Sequence, residues 1–175
     1  MTNGFHIERV PVESRDQFRT MAETYWRDLM PDAPVCKSRE VCDAYFDETF
    51  SWDKGNKHPF WALEDGVPVG FVSFEVEKGT AQLDGKKAYV HNFYVAAEFR
   101  RKGYGSAIVN WLFEHLDGLG IERLDLNVRR DTPNALAFWE AQGFGIAGYS
   151  MRMYRDPKLG TAFKGVLSSD FVDEE

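Results

Sequence analysis

The stretch from 88 to 116 leaves this chain few choices of fold. An apolar and aromatic run, AYVHNFYV (88–95), is followed by AAEF, then RRKGYG (100–105), then SAIVNWLFEHL (106–116). The first run predicts a strand. Ile108, Leu112, Leu116 and Leu119 predict a helix with one buried stripe. A helix start leaves its first N–H groups unpaired and carries about half a positive charge. Glycines at 103 and 105 let backbone approach an anion with no β-carbon in the way, so successive N–H groups can form a nest for phosphate oxygens. Arg100, Arg101 and Lys102 add mobile positive charge. The spacing is neither the G-x-G-x-x-G of dinucleotide folds nor a P-loop, which ends in Lys and Ser/Thr. By itself the hexapeptide fits a solvated basic turn and a phosphate cradle equally well.

The flanking pieces are those of a mixed α/β domain. A short strand is expected at 5–10. A first helix is marked by Phe18, Met21, Tyr25 and Leu29 and ends near Pro31. A second, 38–49, is expected to turn Val41, Ala44 and Tyr45 inward and Asp43, Asp47 and Glu48 outward. SWDKGNKHP (51–59) reads as a loop. FWALED (60–65), Gly66 and VGFVSFEVE (69–77) read as an antiparallel hairpin. After the basic loop and its helix, RLDLNV (123–128) is expected as a buried strand and PNALAFWEAQ (133–142) as a helix stopped by Gly143. IAGYSMRMYR (146–155) reads as further strand. Early hairpins followed by strand–helix–strand–helix–strand describe an α+β domain over 1–155, with 156–175 as a C-terminal extension.

Composition narrows the function classes. The chain has 175 residues, 43% hydrophobic and 15% aromatic, enough for a real core. A formal charge of −7 makes the three cations a local exception and disfavours a nucleic-acid partner. No apolar run approaches the roughly 18 residues of a membrane span, and MTNGFHIERV lacks the pattern of a secretory signal, so a cytoplasmic protein is expected. Cys36 and Cys42 have no zinc spacing and read as reduced thiols without a chemical role.

Arg100-x-x-Gly103-x-Gly105, together with Phe138-Trp139 and Gly143-Phe144 at the end of the later helix, resembles the GNAT superfamily of N-acetyltransferases. That family's loop is Q/R-x-x-G-x-G/A, and its later helix ends in an aromatic pair, a short spacer and GF. The resemblance covers roughly 60–155. It implies a mostly antiparallel mixed sheet flanked by helices, with a splayed strand pair forming the cofactor cleft. It further implies transfer of an acetyl group from acetyl-CoA to an amine in a ternary complex, without a metal. In relatives the thioester carbonyl meets backbone N–H groups of the strand before the loop, here around Phe93, Tyr94 and Val95. The pyrophosphate is then expected on the N–H groups of Arg101, Lys102, Gly103, Tyr104, Gly105 and Ser106. Relatives also use an Asn before the later helix; the alignment puts Thr132 there and Asn134 two residues on, and either could serve.

Proton transfer is the next requirement. A lysine-like amine is neutral in only about one molecule in 2,500 at pH 7, an α-amine in about one in five to ten, so a general base matters more for the first. Period-two alternation puts Tyr89, His91, Phe93 and Val95 on one face of their strand and Ala88, Val90, Asn92 and Tyr94 on the other, and a bulge would invert one half. His91 matches the position where relatives keep a base, and Glu75 on the preceding strand is the alternative. Trp139 stands where many members have a Tyr acid, and an indole N–H does not titrate usefully. Trp139 is therefore read as stacking or packing on the thiol side, with the proton coming from Tyr149, Tyr154, the substrate ammonium or water.

Acceptor selectivity in such proteins lies in the first two helices and nearby loops. Tyr25, Trp26, Asp28, Asp32, Asp43, Tyr45, Asp47, Trp52 and Asp53 there suit a cationic amine, of a small molecule or a peptide, and equally suit core and solvated helix faces. A homodimer is compatible with the reading. Two competitors remain: an acyl-CoA-binding sensor that lost its acid, and a phosphate-binding domain unrelated to CoA.

Overall fold

The computed structural model describes residues 4–30, 38–50, 57–77, 85–129 and 132–149. The chain runs β1 (Phe5–Arg9), α1 (Arg15–Leu29), α2 (Arg39–Thr49), β2 (Pro59–Glu64), β3 (Val67–Glu77), β4 (Lys87–Val95), α3 (Tyr104–Asp117), β5 (Arg123–Leu126) and α4 (Pro133–Ala141). The five strands lie side by side in sequence order. The first three pairings are antiparallel and the fourth, β4 with β5, is parallel. The expected mixed sheet is therefore present. Asp65 and Gly66, both at positive φ (49° and 78°), close the β2–β3 hairpin, as an Asp-Gly pair does in a turn that matches strand twist.

Each face of the sheet carries its own core. On one side Phe18, Ala22 and Trp26 of α1 and Cys42 and Phe46 of α2 pack with Phe50 onto Trp61, Leu63, Phe71 and Tyr94. On the other, Ile108, Leu112 and Leu116 of α3 pack onto Ala62, Val69, Val72, Phe74, Ala88 and Val90. The buried line of α1 thus runs through 18, 22 and 26, with Met21 and Tyr25 at its margin.

The α2 expectation needs correction: Val41 and Tyr45 are 43% and 38% exposed and Ala44 is exposed too, whereas Cys42 and Phe46 are buried. Four-residue spacing of Cys42, Phe46 and Phe50 aims this line at Phe18 and Trp26. Leu119 lies beyond the end of α3 and is 46% exposed. β5 is only half-buried, and 146–149 form no strand. Residues 150–175, including the rest of that expected strand and the extension, lie outside the described residues, as do Cys36 and most of the 51–59 loop. Its last residue, Pro59, opens β2.

Phe18 sits at the centre of the first core. It meets Phe50, Trp61 and Phe71 edge-on at 4.8, 5.1 and 5.0 Å between ring centroids, and Phe46 at 5.9 Å. It is fully buried. Phe18→Ala should therefore lose transfer free energy and leave a cavity that four rings cannot fill, costing about 3–5 kcal/mol. Urea unfolding measures this, and a loss below 1 kcal/mol, the order of a surface substitution, would contradict the packing described.

Candidate active site

β4 is interrupted. Ser73 pairs with Asn92 but Phe74 pairs with Val90, so His91 is an extra residue in β4. Ala88 and Val90 face α3, and so do Phe93 and Val95, three and five residues after Val90. This corrects the uniform alternation expected from the sequence. Tyr89, His91, Asn92 and Tyr94 share the face covered by α1 and α2, while Phe93 and Val95 have crossed to the other. A bulge also adds bend and twist. The β4–β5 ladder ends here, at Val90–Leu126, although β4 continues to Val95. From His91 onward the β5-facing edge of β4 has no strand partner among the described residues, which is the splay expected of the pair.

At the bulge His91 Nε2 lies 3.1 Å from Glu75 Oε2, and Lys57 Nζ is 3.9 Å from the same oxygen. The register brings them together, because Glu75 pairs with Tyr89 two residues before His91. Both side chains are about a third exposed. The Tyr89 ring flanks His91 at 5.0 Å. Its hydroxyl is hydrogen-bonded by Asn127, just past the end of β5, while burial raises its pKa. Asn92 donates to Ser73 Oγ at 2.9 Å, which keeps both polar groups satisfied inside the sheet.

The loop from β4 to α3 has unusual backbone. Arg101 takes φ +63°, and Gly103, the N-cap of α3, takes φ +91°. A glycine cap offers no side-chain acceptor, and the first intrahelical bond closes from Ala107 N–H to Gly103 O. The N–H groups of Tyr104, Gly105 and Ser106 therefore start the helix without intrahelical partners. Nothing lies within 4 Å of where a Gly103 Cβ would stand, so the space above the helix start is open. Gly105 has a different job from the one inferred from sequence: a Cβ there would meet Phe138 at 3.0 Å, so glycine makes room for α4.

Phe138 and Trp139 sit over the free end of β4, with their rings 5.6 and 4.8 Å from Phe93. Gly143, at φ +93°, ends α4 with paired bonds from Gly143 N–H to Glu140 O and Phe144 N–H to Trp139 O. This turn returns Phe144 onto Trp139 at 5.0 Å. Trp139 is buried among Phe93, Phe138 and Phe144.

The remaining sequence-derived candidates divide. Arg101 and Lys102 are exposed at the loop, Lys102 Nζ standing 5.5 Å over the Phe99 ring. Arg100 turns away: Nε donates to Val95 O at 2.9 Å and Nη2 to Asp28 Oδ2 at 2.7 Å. Asn134 is exposed at the start of α4, and Thr132 Oγ1 donates to Arg129 O. Tyr149 is 90% exposed in irregular chain, and no bond joins it to His91 or Glu75. Tyr154, Asp32, Trp52 and Asp53 lie outside the described residues.

On the acceptor side the aspartates are already paired. Asp47 holds Arg15, Asp43 holds Arg19, and both arginines lie over the Phe46 ring. Trp26 is core and Tyr45 packs on it at 5.0 Å. Burial raises the Tyr25 pKa above the usual tyrosine range. The Tyr94 hydroxyl, which donates to Asp28 at 3.1 Å, is pushed up to about 12 by burial first and then by that carboxylate. Burial also raises the Cys42 thiol, which keeps it unreactive.

Acetyl-CoA fits what the chain offers: an uncapped helix start in open space, two exposed cations beside it, and an unpaired strand edge leading away from it. No helix among the described residues is long and apolar enough to cross a membrane. The model of the acetyltransferase (GNAT) family matches residues 18–144. The chain is 25% identical over 126 residues to the [Ribosomal protein bS18]-alanine N-acetyltransferase of Escherichia coli (strain K12), covering 71% of this chain and 80% of that one. A ribosomal-protein-alanine N-acetyltransferase from Brucella melitensis biovar Abortus 2308 superposes with a TM-score of 0.67 at 21% identity, over 88% of this chain and all of that one. AAC(6')-Iy, solved with the bisubstrate analog CoA-S-monomethyl-acetylneamine, does so with a TM-score of 0.65 at 16% identity, over 87% and 97%. The chain belongs to the acetyltransferase (GNAT) family and is an acyltransferase with acetyl-CoA as its co-substrate.

Proposed function

We propose that this protein acetylates a primary amine of a small molecule or peptide by direct attack in a ternary complex, with His91 as the base. The observation that carries the reading is the bulge: one extra residue sets His91 against Glu75 at the point where the β4–β5 ladder ends and the strand edge toward the α3 start begins. Bound acetyl-CoA supplies an acyl group on a thioester carbon. Backbone N–H groups around Phe93 to Val95 would hold the thioester carbonyl, and those of Arg101 to Ser106 the pyrophosphate. Arg101 and Lys102 would meet its charge, with Asn134 near the cofactor arm.

With its Nε2–H donated to the Glu75 carboxylate, the ring keeps Nδ1 free to accept a proton. The acceptor nitrogen gives up that proton as its bond to the acyl carbon forms and the carbon–sulfur bond breaks. The thiolate then takes a proton from water or from the acceptor's own ammonium, since the Trp139 indole cannot supply one. Two of the similar proteins bear on the acceptor. One is named for an alanine of a ribosomal protein, the other was solved with an acetylneamine analog. Peptide α-amines and aminoglycoside amines therefore head the panel to test. The lack of a titratable donor at Trp139 favours a second reading, an acyl-CoA-binding sensor. Tight CoA binding without thiol release from any amine would support it.

Two experiments test the proposal. Gly103→Asp would set a carboxylate beside the pyrophosphate, and like charges in contact cost several kcal/mol, so the acetyl-CoA Kd should rise about a hundredfold or more. The space is open, but φ +91° strains any β-carbon, so the melting temperature should fall only modestly. Calorimetry giving the parent Kd would refute the loop assignment. His91→Ala should slow thiol release about a hundredfold below mildly alkaline pH, the gap closing as the acceptor amine deprotonates by itself. Glu75→Gln should show the same pH dependence with a smaller loss. A His91→Ala profile parallel to the parent at every pH would remove His91 from the mechanism.

A further inference from the structure

Arg100 opens the loop signature yet points away from the helix start. Its guanidinium has three engagements: Nε donates to the carbonyl of Val95, the last residue of β4; Nη2 donates to Asp28 Oδ2; and Cζ lies 5.5 Å from the Tyr94 ring centre. Tyr94 donates its hydroxyl to the same Asp28 oxygen. Asp28 is the next-to-last residue of α1, where the helix dipole adds negative charge and so favours a guanidinium. Three elements thus meet at one carboxylate: the end of α1, the free end of β4 and the first residue of the loop.

The next residue explains why such a knot is useful. Arg101 adopts φ +63°, a left-handed conformation that costs a non-glycine residue about 1–2 kcal/mol, and Gly103 repeats positive φ two residues later. A free loop would relax out of that shape, and its N–H groups would cease to converge. Holding Arg100 from both sides removes much of the freedom to do so, and a preorganised loop loses less entropy when an anion arrives. Arg101 and Lys102, by contrast, are bonded to no carboxylate among the described residues.

We infer that Arg100 is a positioning residue, tethered to Asp28 and Tyr94, that holds the 101–106 backbone in its anion-binding shape rather than contacting phosphate. This rests on the loop being the pyrophosphate site. It divides the three cations: Arg101 and Lys102 face the ligand, and Arg100 faces the fold. The Tyr94 hydroxyl stays a donor throughout the physiological range, since burial and Asp28 push its ionisation up to about 12. The tether is therefore insensitive to pH on the tyrosine side.

Acetyl-CoA Kd measured by calorimetry for Asp28→Ala, Arg100→Gln, the double variant and Arg100→Lys tests this. Each single change should raise Kd about tenfold, and the double should be no worse than the weaker-binding single, because both break one unit. Arg100→Lys keeps the charge but cannot hold Val95 O and Asp28 together, so it should behave like Arg100→Gln. If Arg100 met phosphate directly, Asp28→Ala would free it and leave Kd unchanged or tighter, and Lys would retain most of the affinity. Either result overturns the inference. So does a lowered melting temperature at unchanged Kd, which would make the knot purely structural. Gly103→Asp run alongside separates the levels. Parent affinity there sinks the loop assignment, whereas weak binding there beside parent affinity in Asp28→Ala sinks only the tether.

Discussion

His91 has no partner on β3, and its insertion changes what each half of β4 touches. Before it, Ala88 and Val90 press on α3; after it, Phe93 and Val95 do so, with the parity of the strand reversed. Two adjacent side chains, His91 and Asn92, consequently share the α1/α2 face, one reaching Glu75 and the other Ser73. The added bend coincides with the end of the β4–β5 ladder. A single unpaired residue therefore places a titratable group at the point along β4 where the strand edge opens. In a regular strand one of these would be lost: continued pairing would close the edge, and unbroken parity would send Phe93 to the face of His91.

The glycines of the loop illustrate how one motif serves two constraints. Gly103 is required by conformation, since its φ of +91° suits no β-carbon although the surrounding space is empty. Gly105 is required by packing, since Phe138 stands where a methyl group would be. The second constraint ties the loop to the later helix. Gly105 admits Phe138, Phe138 and Trp139 close over Phe93, and the left-handed Gly143 folds Phe144 back on Trp139. RRKGYG and FWEAQGF are thus two sides of one contact.

Charge plays a humbler part than its density suggests. Asp28, Asp43 and Asp47, the aspartates of α1 and α2 singled out for a cationic acceptor, are already held by Arg100, Arg19 and Arg15. The exposed pairs, Arg15–Asp47 and Arg100–Asp28, contribute about 0–1 kcal/mol each, so their effect is mainly to fix α1 against α2 and against the loop. The acceptor face is consequently less anionic than its composition implies. Among the described residues, the ionisable groups at the bulge include His91, Glu75, Lys57 and Tyr89.

Much of this was legible in the residues. Alternation and four-residue spacing located the hairpin, β4, α3 and α4, because burial of one face imposes those periods directly. The two glycine-bearing motifs identified the family, because left-handed backbone and close helix approach leave few residue choices. The face of α2 was not legible: Val41, Ala44 and Tyr45 are as apolar as Cys42 and Phe46, and only the position of Phe18 and Trp26 decides which line is buried. Nor was the bulge, since HNFYV contains no glycine or proline, and burial still alternates through it. The sequence by itself pointed to the cofactor class through a family resemblance, carried by two motifs whose backbone demands few residues can meet. The tertiary structure alone decided that His91 meets Glu75 and that Arg100 turns to Asp28. Those contacts join residues 16 and 72 positions apart, which strand register and helix packing bring together and local pattern cannot.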